Sequence, residues 1–221
     1  MRLSQKQEGF LEGCSKLAVS VIRQRFKHHP GLISRPAITA IRQMLLKGRL
    51  KPSIQQGASR VLVALLPDSF DVIEEMLSLN TPRGVHDVHF TVFASLEQSD
   101  FNYTEQAGIE YLLVNYLMKA RSSACYSAWK AGLTLADAWH STRSEARLVE
   151  LLFSAHYSAG RLGALNGCEH ILKHRQTLTP QDLAPLLSVA RNDPSERVRK
   201  TAQFILEYRL GVKPRAKREN R

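Results

Sequence analysis

Several groupings of residues have types and spacings that suggest chemistry. His170 and His174 stand four apart, one turn of a helix, with Cys168 just before them, and His86 and His89 form a pair at a spacing of three. A zinc ion takes three or four nitrogen, sulfur or oxygen ligands converging tetrahedrally. Each cluster supplies only two convincing ligands, so both read as polar positions on helix flanks and no metal or other cofactor is expected. His174 would there sit with Lys173 and Arg175 at a helix C-terminus, where cations are favoured. Trp129, Asp137, Trp139 and Arg143 form a third group. Two indoles, an acid and a guanidinium suit a pocket that grips a flat ring, yet the tryptophans are ten residues apart and so share a helix face, which equally suits packing. Nucleophile-elbow, phosphate-loop, dinucleotide-binding and zinc-protease patterns are absent from the chain, and no catalytic residue is assigned.

Cations form the remaining candidate. Arg23, Arg25 and Lys27 with His28 and His29 close the first amphipathic stretch, and Arg35, Arg42, Lys47, Arg49 and Lys51 follow. The last residues, KPRAKRENR, add Lys213, Arg215, Lys217 and Arg218 and read as a flexible basic tail over 209–221. The net charge of +11 is divided unevenly: residues 1–51 carry +9, residues 209–221 carry +5, and residues 52–208 carry −3. Cations gathered at two ends suit a local anionic contact, nucleic acid included, better than a basic groove along the whole molecule. The alternative is that charged ends keep terminal repeats soluble and apart. Phe26 is the only aromatic near the first cluster, a weak sign for stacking against bases.

The elements that must position these residues read as helices. Phe10, Leu11, Cys14, Leu17, Ala18, Val21, Ile22 and Phe26 step by three and four, an apolar stripe that predicts one N-terminal capping helix within 1–30, ended by Pro30 and Gly31. Further helices are predicted near 35–47, 53–66, 69–79, 84–97, 104–119, 123–139, 142–158, 161–175, 180–191 and 194–209. Thr179-Pro180-Gln181-Asp182 and Asp193-Pro194-Ser195-Glu196 each offer a capping side chain, a proline at the first helical position and an acid at the third. Short connections predict antiparallel neighbours.

A repeat underlies the pattern. Paired apolar residues recur at Leu45, Leu77, Leu113, Leu152 and Leu187, spaced by 32, 36, 39 and 35 residues. That interval is one helix pair of a helical solenoid, whose units bury their apolar faces only by stacking. Near the C-terminus, Asp193-Pro194, Val198-Arg199, Ala202 and Leu206 resemble the HEAT-repeat pattern. The resemblance implies an all-α, right-handed HEAT/ARM-like solenoid of about five antiparallel helix pairs over 1–208, with Asp193 and Arg199 as members of an inter-repeat hydrogen-bonded ladder. It covers about 25 residues closely and the rest by period alone. HEAT-like alkylpurine DNA glycosylases use aromatic and acidic residues on a concave face, which is the comparison for the Trp129–Arg143 group; no motif of theirs aligns here.

A chain of 221 residues, 43% hydrophobic and 23% charged, can bury a core without staples. Cys14, Cys125 and Cys168 are scattered and odd in number, so no disulfide framework is expected. The first residues lack the apolar run of a signal peptide and no segment reaches membrane-span length. The reading is a soluble, cytoplasmic, non-enzymatic repeat adaptor for a protein partner. A nucleic-acid-binding protein using its basic ends is the alternative.

Overall fold

The computed structural model describes residues 5–29, 35–47, 50–78, 83–97, 99, 101–137 and 142–212, without the side chains of 46, 47, 83–87, 122 and 142. Among the described residues there are twelve α-helices and no strand. None of these helices is long and apolar enough to cross a membrane. The chain divides into two compact units, residues 1–116 and 117–221, and helix α7 (Tyr103–Lys119) runs through the boundary.

The first unit contains α1 (Gln5–Cys14), α2 (Val19–His28), α3 (Arg35–Lys47), α4 (Pro52–Ala64), α5 (Phe70–Ser78), α6 (Arg83–Glu97) and most of α7. The single N-terminal helix predicted from the apolar stripe is two helices. Gly13 and Ser15 are poor helix formers, and the Ser15 hydroxyl donates to the Glu12 carbonyl at 2.7 Å. Arg60 of α4 then donates to the carbonyls of Ser15 and Leu17, at 2.8 and 2.6 Å. These carbonyls would be satisfied internally if the helix continued; a tertiary guanidinium takes them instead. The stripe survives the break, because Leu11, Cys14, Val19 and Ile22 are all buried. They cover α4, which also packs against α6, while α3 packs on α5. α1 approaches α4 so closely that a methyl group on Gly57 would lie 1.8 Å from the Leu11 carbonyl oxygen.

The second unit contains α8 (Cys125–Asp137), α9 (Thr142–Ser154), α10 (Ser158–Lys173), α11 (Pro180–Asn192) and α12 (Glu196–Phe204), extended by one π-helical turn, Ile205–Arg209. α10 is central and packs on α8, α9 and α12; α11 packs on α9 and α12. Small residues bring α8 and α10 together: a methyl group on Gly132 would lie 1.9 Å from the Gly163 carbonyl oxygen, and one on Gly163 would lie 2.3 Å from that of Ala128. Backbone touches backbone here, so these glycines are required by close approach.

The Leu-anchored period corresponds to alternate helices. Leu45, Leu77, Leu113, Leu152 and Leu187 fall on α3, α5, α7, α9 and α11, and the first four are buried. The predicted start at Thr179 is present in full: the Thr179 hydroxyl accepts from the Asp182 N–H, Asp182 accepts from the Thr179 N–H at 2.7 Å, and Pro180 opens the helix. The start predicted at Asp193-Pro194 is later than expected. Helix α12 begins at Glu196 with Ser195 before it, because the Asp193 carboxylate accepts from the Ser195 N–H at 2.8 Å, a local turn that competes with helix.

Candidate interaction surfaces

Asp193 is one of the few buried charged residues. Its carboxylate accepts two hydrogen bonds from Arg161 of α10, Nε at 2.6 Å and Nη2 at 3.1 Å, and Arg161 Nη1 donates to the Ala155 carbonyl at 2.9 Å. Arg199, paired with Asp193 by the repeat resemblance, does not reach the carboxylate. It donates to the main-chain carbonyls of Asp193 and Pro194, at 2.6 and 3.2 Å. The link between helix pairs is therefore made by Arg161, a residue with no distinguishing neighbour in the sequence. A fork-to-fork guanidinium–carboxylate contact fixes orientation as well as distance.

The basic residues of the N-terminal region do not act as one set. Arg23 makes an ion pair with Glu105 at 3.3 Å and lies over the Phe101 ring, 5.1 Å from its centroid. Arg42 pairs with Glu75 of α5. Arg25, Lys27, Arg35 and Lys51 are exposed, as are His28 and His29. The Lys47 side chain and Arg49, and Lys213, Arg215, Lys217 and Arg218 of the tail, lie outside the described residues.

The group proposed as a ring-binding pocket is dispersed. Trp129 stacks on Tyr126, with ring centroids 5.8 Å apart and planes 16° from parallel, in the first half of α8. Asp137, at the last turn, pairs with His170 at 2.5 Å. Arg143 is exposed near the start of α9, and Trp139 lies outside the described residues. Trp129 and Asp137 are eight residues, about 12 Å, apart along one helix.

The histidines have structural partners. His170 meets Asp137 on one side and the His174 ring on the other, at 4.8 Å between centroids. His89 is buried, its Nε2 at 2.8 Å from the Met76 carbonyl and its Nδ1 at 3.2 Å from the Tyr116 hydroxyl. A carbonyl only accepts, so Nε2 carries the proton and Nδ1 accepts from Tyr116 in the neutral ring. The His86 side chain lies outside the described residues. Among the described residues no three His, Cys, Asp or Glu side chains converge as metal ligands.

Displaced ionisable groups point away from catalysis. Burial pushes the Cys168 thiol up to about 12, helped by the nearby Glu145 charge, and burial likewise raises Cys14. A nucleophilic cysteine needs displacement in the other direction. Asp182 is held below the ordinary carboxylate range by the Thr179 backbone and hydroxyl and then by Arg175, and Glu196 by Lys200.

Two surfaces were not singled out in the sequence. In the first unit, Leu66, Pro67 and Phe70 face Asn102, Tyr103, Thr104 and Glu105 across a cavity of about 520 Å³. A second, about 470 Å³, shares Leu66, Pro67, Asn102 and Glu105 and continues past Arg23, Phe26, Lys27 and Asp68. The Phe70 ring lies against Gly108 of α7, where a methyl group would meet it at 2.5 Å. Asn102 and Glu105 cap α7 reciprocally, at 2.9 and 3.0 Å, and this holds Tyr103, 79% exposed, at the rim. A large aromatic at the polar start of a helix was the available signal. In the second unit, exposed aromatics stand in stacked pairs: Tyr126 with Trp129, and Phe204 with Tyr208 at 5.2 Å and 28°.

No protein-family model matches the chain, and no curated protein or solved structure matches it either. Fold and surface chemistry alone therefore carry the functional reading.

Proposed function

We propose that the protein is a non-catalytic adaptor of HEAT-like build, a short α-solenoid that binds a segment of a protein partner. Two features support the solenoid. The Leu anchors fall on every second helix, and in the second unit α10 packs on both α8 and α12 while α9 packs on α11, as expected of stacked helix pairs. The observation that carries the binding function is the groove of the first unit. Its two continuous cavities have apolar walls at Leu66, Pro67 and Phe70, an exposed tyrosine at the rim and charges at the far end. An elongated trough of this kind suits an extended peptide with an apolar anchor. Both displaced thiols move away from reactivity, which fits a surface that binds and does not react.

Panning a random peptide library on the protein tests the proposal. Peptides with an aromatic or leucine anchor are expected to be enriched, and Tyr103→Ala is expected to weaken them roughly tenfold or more, since tyrosines at groove rims are frequent hot spots. If no peptides are enriched, or if those recovered bind Tyr103→Ala as well as the parent protein, the adaptor proposal is wrong.

A further inference from the structure

The exposed aromatics of the second unit occur among cations. On α12, Arg197, Lys200 and Phe204 line one shallow groove of about 420 Å³. Tyr208, 74% exposed, stacks on Phe204 one turn further on, and the Arg209 guanidinium lies 5.7 Å from the Phe204 ring centroid. At the other end of the helix, Arg197 Nη1 reaches the Cys125 sulfur at 3.7 Å. Cys125 opens α8; Tyr126 follows it and Trp129 stands one turn on, so Arg197 joins the second stacked pair to the α12 stripe. Both pairs present ring area to solvent, Tyr126 at 63% and Trp129 at 37% exposure, Phe204 at 48% and Tyr208 at 74%. Residues 196–221 contain nine Lys/Arg and three Asp/Glu, a net charge of +6.

Ring pairs left open to water are costly to solubility and add nothing to the core, whose small residues lie on the α8–α10 contact. Stacking platforms spaced between guanidinium groups are what unpaired bases and their phosphates require. A duplex hides its base faces, so such a surface favours single strands. We infer that the outer face formed by Tyr126 and Trp129 on α8 and by Arg197, Phe204 and Tyr208 on α12 binds single-stranded nucleic acid through base stacking, with the cations holding the backbone. This inference is independent of the peptide groove, which lies in the first unit, and either stands if the other fails.

The test is fluorescence anisotropy of the full chain with a labelled 15-nucleotide single strand and with a duplex of equal length, at about 50 and 200 mM salt. The single strand is expected to bind at least about tenfold tighter than the duplex and to weaken with salt. The double variants Tyr126→Ala/Trp129→Ala and Phe204→Ala/Tyr208→Ala each keep every charge, and each is expected to lose roughly tenfold or more in single-strand affinity. Should circular dichroism show that a double variant has lost its helices, the exposed single variants Tyr126→Ser and Tyr208→Ser are measured, with a several-fold loss expected. Four outcomes overturn the inference: no binding at low salt, equal binding of duplex, aromatic variants that bind like the parent, or polyglutamate competing as well as an oligonucleotide of equal charge. The last two would leave only the attraction of a basic chain end for any polyanion, an acidic protein included.

Discussion

Asp193 and Arg161 show how one ion pair can decide a local structure. Both are buried, the carboxylate engages the guanidinium twice, and its remaining hydrogen bond goes to Ser195. Asp193→Ala would leave Arg161 buried without its counter-charge, which costs about 3–5 kcal/mol. The expected result is a large drop in the denaturant midpoint of the second unit, whereas Arg199→Ala, which removes bonds to exposed and half-buried carbonyls, should cost far less. Comparable losses for the two would mean that Arg199, and not Arg161, makes the link. Asp182 gives a pH effect of defined sign. Its folded pKa lies below its unfolded value, so between about pH 3.9 and that lower value the unfolded chain binds more protons. The contribution of Asp182 is thus complete above about pH 4 and is lost as pH falls through the folded pKa. Acid titrations followed by circular dichroism should show Asp182→Asn to be less stable at neutral pH but less sensitive to this fall; an unchanged slope would remove the capping carboxylate from the account.

Among the elements, α8 and α10 are the most constrained. Their contact is backbone against backbone at Gly132 and Gly163, so no rotamer change can make room for an added carbon. Gly132→Ala raises helix propensity by about 1 kcal/mol but introduces a clash whose relief by helix displacement costs more, about 1–3 kcal/mol or above. A lower melting temperature is expected. A rise would show that the helices separate freely and that propensity governs the site. The same physics explains the N-terminal break. Periodicity recorded the buried stripe from Leu11 to Ile22 correctly, but the interruption depends on Arg60, 45 residues distant from Ser15, and on the close seat of α1 against Gly57.

At the scale of the molecule, the two tryptophans, Trp129 and Trp139, both belong to the second unit. Tryptophan fluorescence therefore reports on residues 117–221, while far-ultraviolet circular dichroism reports on every helix. Asp193→Ala is expected to move the fluorescence midpoint at least as far as the dichroism midpoint. A fluorescence transition that stays in place while dichroism shifts would contradict the placement of the Arg161–Asp193 pair within that unit.

The sequence by itself determined the all-helical class, most helix boundaries to within a few residues, the alternate-helix period at Leu45 through Leu187 and the capping box at Thr179. These follow from rules acting over one to four residues, which a linear reading contains. The tertiary structure alone decided which cations remain open. Arg23 and Arg42 are neutralised by Glu105 and Glu75, whereas Arg25 and Lys27 are exposed. It also drew Asp193 to Arg161, separated Trp129 from Asp137 and brought Cys125 beside Arg197. Each of these depends on side chains from distant helices meeting at hydrogen-bond range, and one-dimensional spacing carries no information about which helices meet.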